Sequence, residues 1–158
     1  MKDSVKVGVS FGLTSGIITT LGLIVGLHSG THSTLAVVGG IITIAIADSM
    51  SDALGIHISK EAENTFSKRQ VWSATLVTFL TKFSMAASFM VPVLLFELNT
   101  AIVISVVWGI SVLIVLSYIL AKSQNENPVG VIAEHVVIAL AVITLTHFVG
   151  DWVAASFT

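Results

Sequence analysis

Three ionisable residues stand inside long apolar stretches of the sequence, where a charge is costly. Asp48 and Asp52 are four residues apart, so in a helix both carboxylates project from the same face. Lys82 lies in the middle of the next apolar stretch. Placing one such residue at the centre of a membrane helix costs about 2.5–3.5 kcal/mol. We therefore expect all three side chains to face the protein interior or water, and to pair with one another.

Two carboxylates and one ammonium leave one negative charge in excess. The two carboxylates also repel each other, which favours binding of a cation or a proton between them. Asp48 and Asp52 are therefore the candidate metal ligands, and Lys82 is the candidate charge partner or proton-coupling group. The alternative is a purely structural ion pair that locks two helices together.

A second group of polar residues falls at the ends of the apolar stretches on one side. The first two of its histidines are expected in a loop that contains Gly30. Imidazole and carboxylate together suit a divalent transition metal. The group is therefore a candidate outer metal site, with simple contact with interfacial water as the alternative: His28, His32, Glu97, His147 and Asp151.

A third group falls at the other ends of the same stretches. His57, Glu134 and His135 are candidates for the lining of an inner vestibule. The neighbouring charged residues are expected to form a solvated loop: Glu61, Glu63, Lys68 and Arg69.

These residues belong to a very apolar chain. Of its 158 residues, 54% are hydrophobic and only 10% are charged, whereas about 25% are charged in a typical soluble domain. A soluble protein of this length could not bury so much apolar surface. Five stretches reach the roughly 20 residues that a membrane-spanning helix needs. We predict an all-α integral membrane protein with one domain, 1–158, and five transmembrane helices at about 5–27, 35–59, 71–96, 100–121 and 129–155.

The basic residues indicate how the chain is oriented. By the positive-inside rule, lysine and arginine collect in cytoplasmic segments. Those outside the predicted helices, or at their edges, all fall on the side of the N-terminus: Lys2, Lys6, Lys60, Lys68, Arg69 and Lys122. We predict a cytoplasmic N-terminus and an external C-terminus. The sequence does not distinguish a plasma membrane from an organelle membrane.

Several function classes have no support in the sequence. The net charge of −2 argues against a nucleic-acid partner. The chain has no cysteine, so thiolate metal sites and cysteine nucleophiles are excluded. No HExxH or GxSxG pattern is present, and we expect neither an enzyme nor a permanently bound cofactor.

Small residues mark the first predicted helix, and a proline marks the third. Small residues at every fourth position of a helix let a neighbouring helix approach closely. We expect part of this small-residue face of the first helix to pack against a second copy of the protein. Pro92 removes a hydrogen bond to the carbonyl of Ser88 and should kink its helix. The glycines recur at every fourth position in two sets: Gly8, Gly12 and Gly16, then Gly22 and Gly26.

Four segments resemble the vacuolar iron transporter family, which includes nodulin-like transporters. The run Phe11 to Gly26 is similar to that family's Asp-Gly-Leu-x-Ser segment with its leucine- and glycine-rich end. The run Ser51 to Ser59 resembles its Ser-Met-x-x-Gly-Glu-Tyr-x-Ser motif, and Thr146 to Gly150 resembles its Thr-Tyr-x-x-Gly motif. Pro92 falls where family members carry a proline.

This resemblance implies a homodimeric carrier of ferrous iron or manganese that exchanges the metal for protons. The ion path would run near the dimer axis and involve the first two helices. A non-transporting membrane interaction protein, in which the charges are structural, is the alternative.

The chain departs from the family pattern at the acidic positions. Phe11 stands where the family has an acid, Asp52 where it has methionine, and Ile56 where it has glutamate; another family acid falls near Ile44. The family's long acidic domain between helices two and three is reduced here to the short segment 60–70. Asp48 and Asp52 keep two carboxylates in the path at shifted heights, and hard oxygen ligands suit manganese and iron equally.

Overall fold

The computed structural model describes residues 2–157 and consists of six helices joined by short turns. Five spans are long and apolar enough to cross a membrane, the third of them formed by α3 and α4 together. This confirms the prediction of an all-α, five-span membrane protein. The helices are α1 (Lys2–Thr31), α2 (Thr34–Ala62), α3 (Lys68–Ser88), α4 (Met90–Leu95), α5 (Leu98–Gln124) and α6 (Pro128–Phe157).

The third span is interrupted rather than continuous. α3 ends at Ser88 and α4 begins at Met90, with Phe89 between them. Pro92 has no N–H to donate to the Ser88 carbonyl, and its ring would clash with that carbonyl in a straight helix. The predicted kink therefore occurs at Phe89, the residue that follows Ser88. Phe89 is completely buried and anchors the break in the core.

Capping residues set where the helices begin and end, and the turns between them are short. Ser33 caps α2 by accepting a hydrogen bond from the Ala36 N–H. Ser67 and Gln70 form a reciprocal capping box at the start of α3. Asn125 adopts the left-handed conformation that ends α5. Tight turns of this kind force consecutive spans to run antiparallel.

Helix α1 is the centre of the bundle. It packs against α2, α3, α5 and α6, while α2 and α3 pair on one flank and α5 and α6 on the other. Its side chains Ile17, Leu21 and Ile24 are completely buried. By contrast, α6 buries only Ala139 and Gly150. The outer helices therefore present broad apolar faces that suit lipid or another protein.

The first glycine set of α1 packs inside the subunit. A Cβ placed on Gly12 would lie 2.9 Å from the carbonyl oxygen of Thr78, and one on Gly16 would lie 3.2 Å from that of Lys82. Gly8 meets α3 one turn earlier, against Ala74. The register shows that α1 and α3 run parallel, with their backbones in close approach.

The second glycine set contacts α6 in the same way. A Cβ on Gly26 would lie 3.3 Å from the carbonyl oxygen of Thr146, and one on Gly22 would lie 2.9 Å from a methyl group of Val142. Both sets are therefore occupied by neighbouring helices of the same chain. These glycines therefore give no support to the expectation that part of this face packs against a second copy, and the homodimer itself stays a prediction.

The basic residues gather at one end of the bundle, which we call the basic end. It contains the start of α1, the α2–α3 turn and the α5–α6 turn, and the Lys6 Nζ donates to Ser123 Oγ across 2.8 Å between α1 and α5. Lys2 begins α1, but its side chain lies outside the part of the chain that the structure describes. Its cytoplasmic location stays a prediction from the positive-inside rule.

Gly12→Ala should destabilise the bundle by about 1–3 kcal/mol, the usual cost of overpacking. The added methyl group would meet backbone atoms of α3, which cannot move aside as a side chain can. Gly55→Ala is the matched control, since no atom lies within 4 Å of the added Cβ. Thermal unfolding in detergent measures both. An unchanged midpoint for Gly12→Ala would contradict the close α1–α3 contact.

Candidate functional site

The predicted pairing of Lys82 with the two aspartates is confirmed. Lys82 is only 1% exposed, and its ammonium lies between α1, α2 and α3. Its Nζ is 2.5 Å from Asp48 Oδ2 and also contacts Asp52 Oδ2. A charge that would be costly in hydrocarbon is thus placed against two opposite charges.

Ser15 of α1 completes the cluster and was not predicted as a site residue. Its hydroxyl accepts a hydrogen bond from Lys82 Nζ at 2.8 Å and donates one to Asp52 Oδ2 at 2.6 Å. The three N–H donors of the ammonium therefore face three oxygen-bearing side chains. The available signal was the position of Ser15 between Gly12 and Gly16, on the part of α1 that approaches α3. We call Ser15, Asp48, Asp52 and Lys82 the Lys82 cluster.

The two aspartates are held differently. Asp52 accepts hydrogen bonds from both Lys82 and Ser15. The buried Oδ2 of Asp48 lies against the ammonium but makes no contact with hydrogen-bond geometry. An ion pair without a hydrogen bond leaves part of the desolvation cost of a carboxylate uncompensated. Asp48 is therefore the carboxylate better placed to accept another positive partner.

Asp48 also lines a groove between α1 and α2. Its side chain is 30% exposed, compared with 1% for that of Lys82. The groove has a volume of about 570 Å³ and extends from the ends of the two helices opposite the basic end to Asp48. The hydroxyls of Thr19 and Thr43 also line it, each donating to the carbonyl four residues earlier. The remaining lining is apolar: Leu23, Leu27, Ala36, Gly40, Ile44 and Ala47.

At the end opposite the basic end, His28 and His32 form one pair. His28 lies in the last turn of α1, so the expectation that it belongs to a loop is wrong; only His32 lies beyond the helix. The two rings meet edge to face, 5.3 Å apart. His28 Nε2 is 2.8 Å from Asn99 Oδ1 at the start of α5.

His147 and Asp151 form a second pair on α6. His147 Nδ1 contacts Ser29 Oγ, and its Nε2 is 3.5 Å from Asp151 Oδ2. Glu97 lies apart as the residue that precedes α5. Among residues 2–157, no three histidine or acidic side chains are grouped closely enough to hold a metal ion. The predicted outer group is therefore two pairs and a single residue rather than one assembled site.

The predicted inner group is divided between the two flanks of the bundle. His57 Nδ1 is 2.9 Å from Thr75 Oγ1, between α2 and α3. His135 Nδ1 is 2.8 Å from Ser117 Oγ, between α5 and α6. Glu134 is exposed next to it. The three residues do not form one vestibule, because α1 separates the two flanks.

The loop acids beside this group behave as expected for solvated residues. Glu63 accepts hydrogen bonds from Lys60 Nζ at 2.8 and 2.9 Å. The hydrogen bond from Lys60 lowers the pKa of the Glu63 carboxyl, with the charge of the same lysine acting in the same direction. This exposed pair is remote from the Lys82 cluster.

Comparison with known proteins gives no assignment. No model of a known protein family matches the chain, and no curated protein matches it. The resemblance to vacuolar iron transporters rests on the four sequence segments described above.

Lys82→Met should destabilise the protein by roughly 3–5 kcal/mol, as expected when one partner of a buried ion pair is removed. The variant would leave two neighbouring carboxylates without their cation. Adding Asp48→Asn and Asp52→Asn should restore most of the loss, since no net charge then remains in the cluster. Lys122→Met, at an exposed position, is the control. Equal thermal midpoints for Lys82→Met and wild type would contradict a stabilising role.

Proposed function

We propose that the protein carries a divalent transition metal, Fe²⁺ or Mn²⁺, across the membrane in exchange for protons. The observation that supports this most is the Lys82 cluster, in which one buried ammonium is shared by two carboxylates and one negative charge is left in excess. Hard carboxylate oxygens are suitable ligands for both ions.

Lys82 would act in this carrier as an internal substitute for the cation. While no metal is bound, its ammonium holds the two carboxylates at one place and limits their repulsion. An arriving divalent cation carries more charge than the ammonium and can displace it from Asp48 first, because that contact lacks a hydrogen bond. A proton on one carboxylate would neutralise the excess charge when the metal has left, which couples metal to proton movement.

The groove beside Asp48 would supply the route from the outer side. It connects the outer ends of α1 and α2 with Asp48, the more exposed carboxylate of the cluster. Between Asp48 and the basic end, the next polar side chains of the cluster are Asp52 on α2 and Ser15 on α1. Two aspartates and one hydroxyl give fewer ligands than these metals usually take, so water or a second copy would complete the coordination.

A second copy of the chain would cover this groove. The glycines of α1 face α3 and α6 within the subunit, so the proposed dimer contact would use other surface. The exposed face of α2 beside the groove is suitable, since Gly39 and Gly55 have no atom within 4 Å of an added Cβ. The proposed dimer axis would then lie beside the first two helices.

One observation favours a second candidate, a membrane interaction protein without transport activity. The Lys82 ammonium donates to Ser15 and Asp52 and contacts Asp48, all within the subunit, which is what a purely structural lock between helices would need. The two functions differ in what they require of Asp52.

Asp52→Asn should abolish metal transport while leaving the protein folded. The amide keeps the size of the side chain but removes a charge that attracts the cation, and Lys82 retains Asp48 as its partner. Liposome uptake of Mn²⁺ or Fe²⁺, measured together with internal pH and thermal stability, tests this. Glu126→Gln, which neutralises an exposed carboxylate outside the spans, should transport like the wild type.

The structural alternative makes the opposite prediction for the same variant. If Asp52 only locks Lys82, its loss should lower the thermal midpoint without changing flux per folded molecule. Wild-type flux in a stable Asp52→Asn protein would remove Asp52 from the mechanism. Absence of flux with any divalent cation in the wild type would reject the carrier.

Ala47→Cys should form a disulfide-linked dimer in membranes on mild oxidation, if a second copy covers the groove. The chain has no cysteine, so each introduced thiol can react only with its counterpart in another subunit. Ile119→Cys, at a 59% exposed position on α5, is the control and should stay monomeric. Crosslinking at position 119 but not at 47 would place the contact on the other flank.

A further inference from the structure

An apolar groove and a polar cavity meet at the basic end of the α2–α3 flank. The apolar groove, about 440 Å³, follows the two helices into the span, and the polar cavity, about 270 Å³, lies at their ends. His57 and Trp72 line both. The other lining residues of the groove are Met50, Ala53, Leu54, Thr75, Leu76 and Phe79, and those of the cavity are Glu61, Asn64, Phe66, Lys68 and Val71.

The apolar groove along the span and the polar cavity at its end match the apolar and polar parts of an amphiphile at a membrane surface. The groove extends about 10 Å along α2 from His57 to Met50, at a rise of about 1.5 Å per residue. That distance is roughly two thirds of one leaflet of the hydrocarbon region, which is about 30 Å thick in all. Trp72 is 65% exposed where the two spaces join, and its indole has the position typical of an interfacial aromatic residue.

The hydrogen bonds of His57 leave an acceptor directed toward the polar cavity. The Thr75 hydroxyl donates its only proton to the Val71 carbonyl at 2.9 Å. With that proton so used, we infer that His57 Nδ1 is the donor in its 2.9 Å contact with Thr75 Oγ1. In the neutral imidazole, Nε2 is then an acceptor, and it lies 4.0 Å from the Glu61 carboxylate. His57 Nε2 and the Glu61 carboxylate are then both acceptors, so a ligand group that lies between them has to be a hydrogen-bond donor.

The charges of the cavity are complementary to a headgroup that carries both signs. Lys68 makes no ion pair within residues 2–157, while Lys60 is already paired with Glu63. Lys68 and Glu61 therefore give the lining one positive and one negative charge. A monoanionic headgroup would satisfy the lysine and repel Glu61. A quaternary ammonium would meet Glu61 but has no N–H for His57 Nε2.

We propose that this flank binds a phospholipid with a zwitterionic headgroup that ends in a primary ammonium, as in phosphatidylethanolamine. The ammonium donates to Glu61 and His57 Nε2, the phosphate pairs with Lys68, and one acyl chain lies in the apolar groove. The contact between His57 and Trp72, whose ring centroids are 4.7 Å apart, holds the imidazole at the junction. The site is independent of the Lys82 cluster and of metal transport.

Native mass spectrometry of the delipidated protein in detergent tests the proposal, with phosphatidylethanolamine, phosphatidylcholine and phosphatidylglycerol of identical acyl chains. The wild type should prefer phosphatidylethanolamine to each of the others by about two- to fivefold, the size of effect expected from an exposed ion pair. Equal binding of the three lipids, or preference for either competitor, would overturn it.

Variants distinguish headgroup recognition from general lipid contact. Glu61→Gln should remove the preference for phosphatidylethanolamine and raise binding of phosphatidylglycerol, because the cavity then keeps only the positive charge. His57→Phe retains an aromatic ring beside Trp72 but removes the acceptor, and should also lose the preference. Glu126→Gln, in the α5–α6 turn, is the matched control and should retain it. If both test variants kept the preference for phosphatidylethanolamine, Glu61 and His57 would not recognise the headgroup, and the proposal would be overturned.

Discussion

The burial of the Lys82 ammonium is the constraint on which the centre of this bundle depends. A charged group at membrane depth needs opposite charge and hydrogen-bond acceptors within reach. Here they come from three helices, because α2 supplies Asp48 and Asp52, α1 supplies Ser15 and α3 supplies the lysine itself. The relative position of the three helices is thereby fixed at one height.

The close approach of α1 and α3 makes this geometry accessible. With Gly12 and Gly16 facing α3, the short side chain of Ser15 reaches the ammonium. Bulkier residues at these positions would separate the helices and leave Lys82 short of an acceptor. The glycines thus contribute to the electrostatics of the site although they carry no polar side chain. The same helix uses its second glycine set to hold α6, which explains its central place.

Two faces of α2 offer different environments around this centre. On the α2 side, the groove leads to Asp48, and the excess negative charge of the cluster is closest to its surface. Between α2 and α3 at the basic end, His57 joins an apolar groove to a polar cavity. Transport and lipid binding, as proposed, would use different parts of α2.

The sequence by itself determined the architecture and the central pairing. Apolar runs of sufficient length predict spanning helices, because a helix satisfies its backbone hydrogen bonds within one segment, as lipid requires. The cost of a charge in hydrocarbon then pairs Lys82 with Asp48 and Asp52, whose four-residue spacing puts them on one face. Pro92 predicted the break at Phe89 for an equally local reason.

Only the tertiary structure decided which neighbours the other residues have. A small-residue repeat indicates that a helix face is closely packed but does not identify the helix that packs against it. Gly12 packs on α3, whereas the repeat alone allowed contact with a second subunit. Likewise, His57 and His135 occur at the same end of the chain's helices, yet α1 lies between their flanks. Ser15 joined the site for the same reason, since its role depends on which helix meets α1 and at what register. Such pairings between distant segments are set by the packing of the whole bundle, which sequence spacing within one helix does not encode.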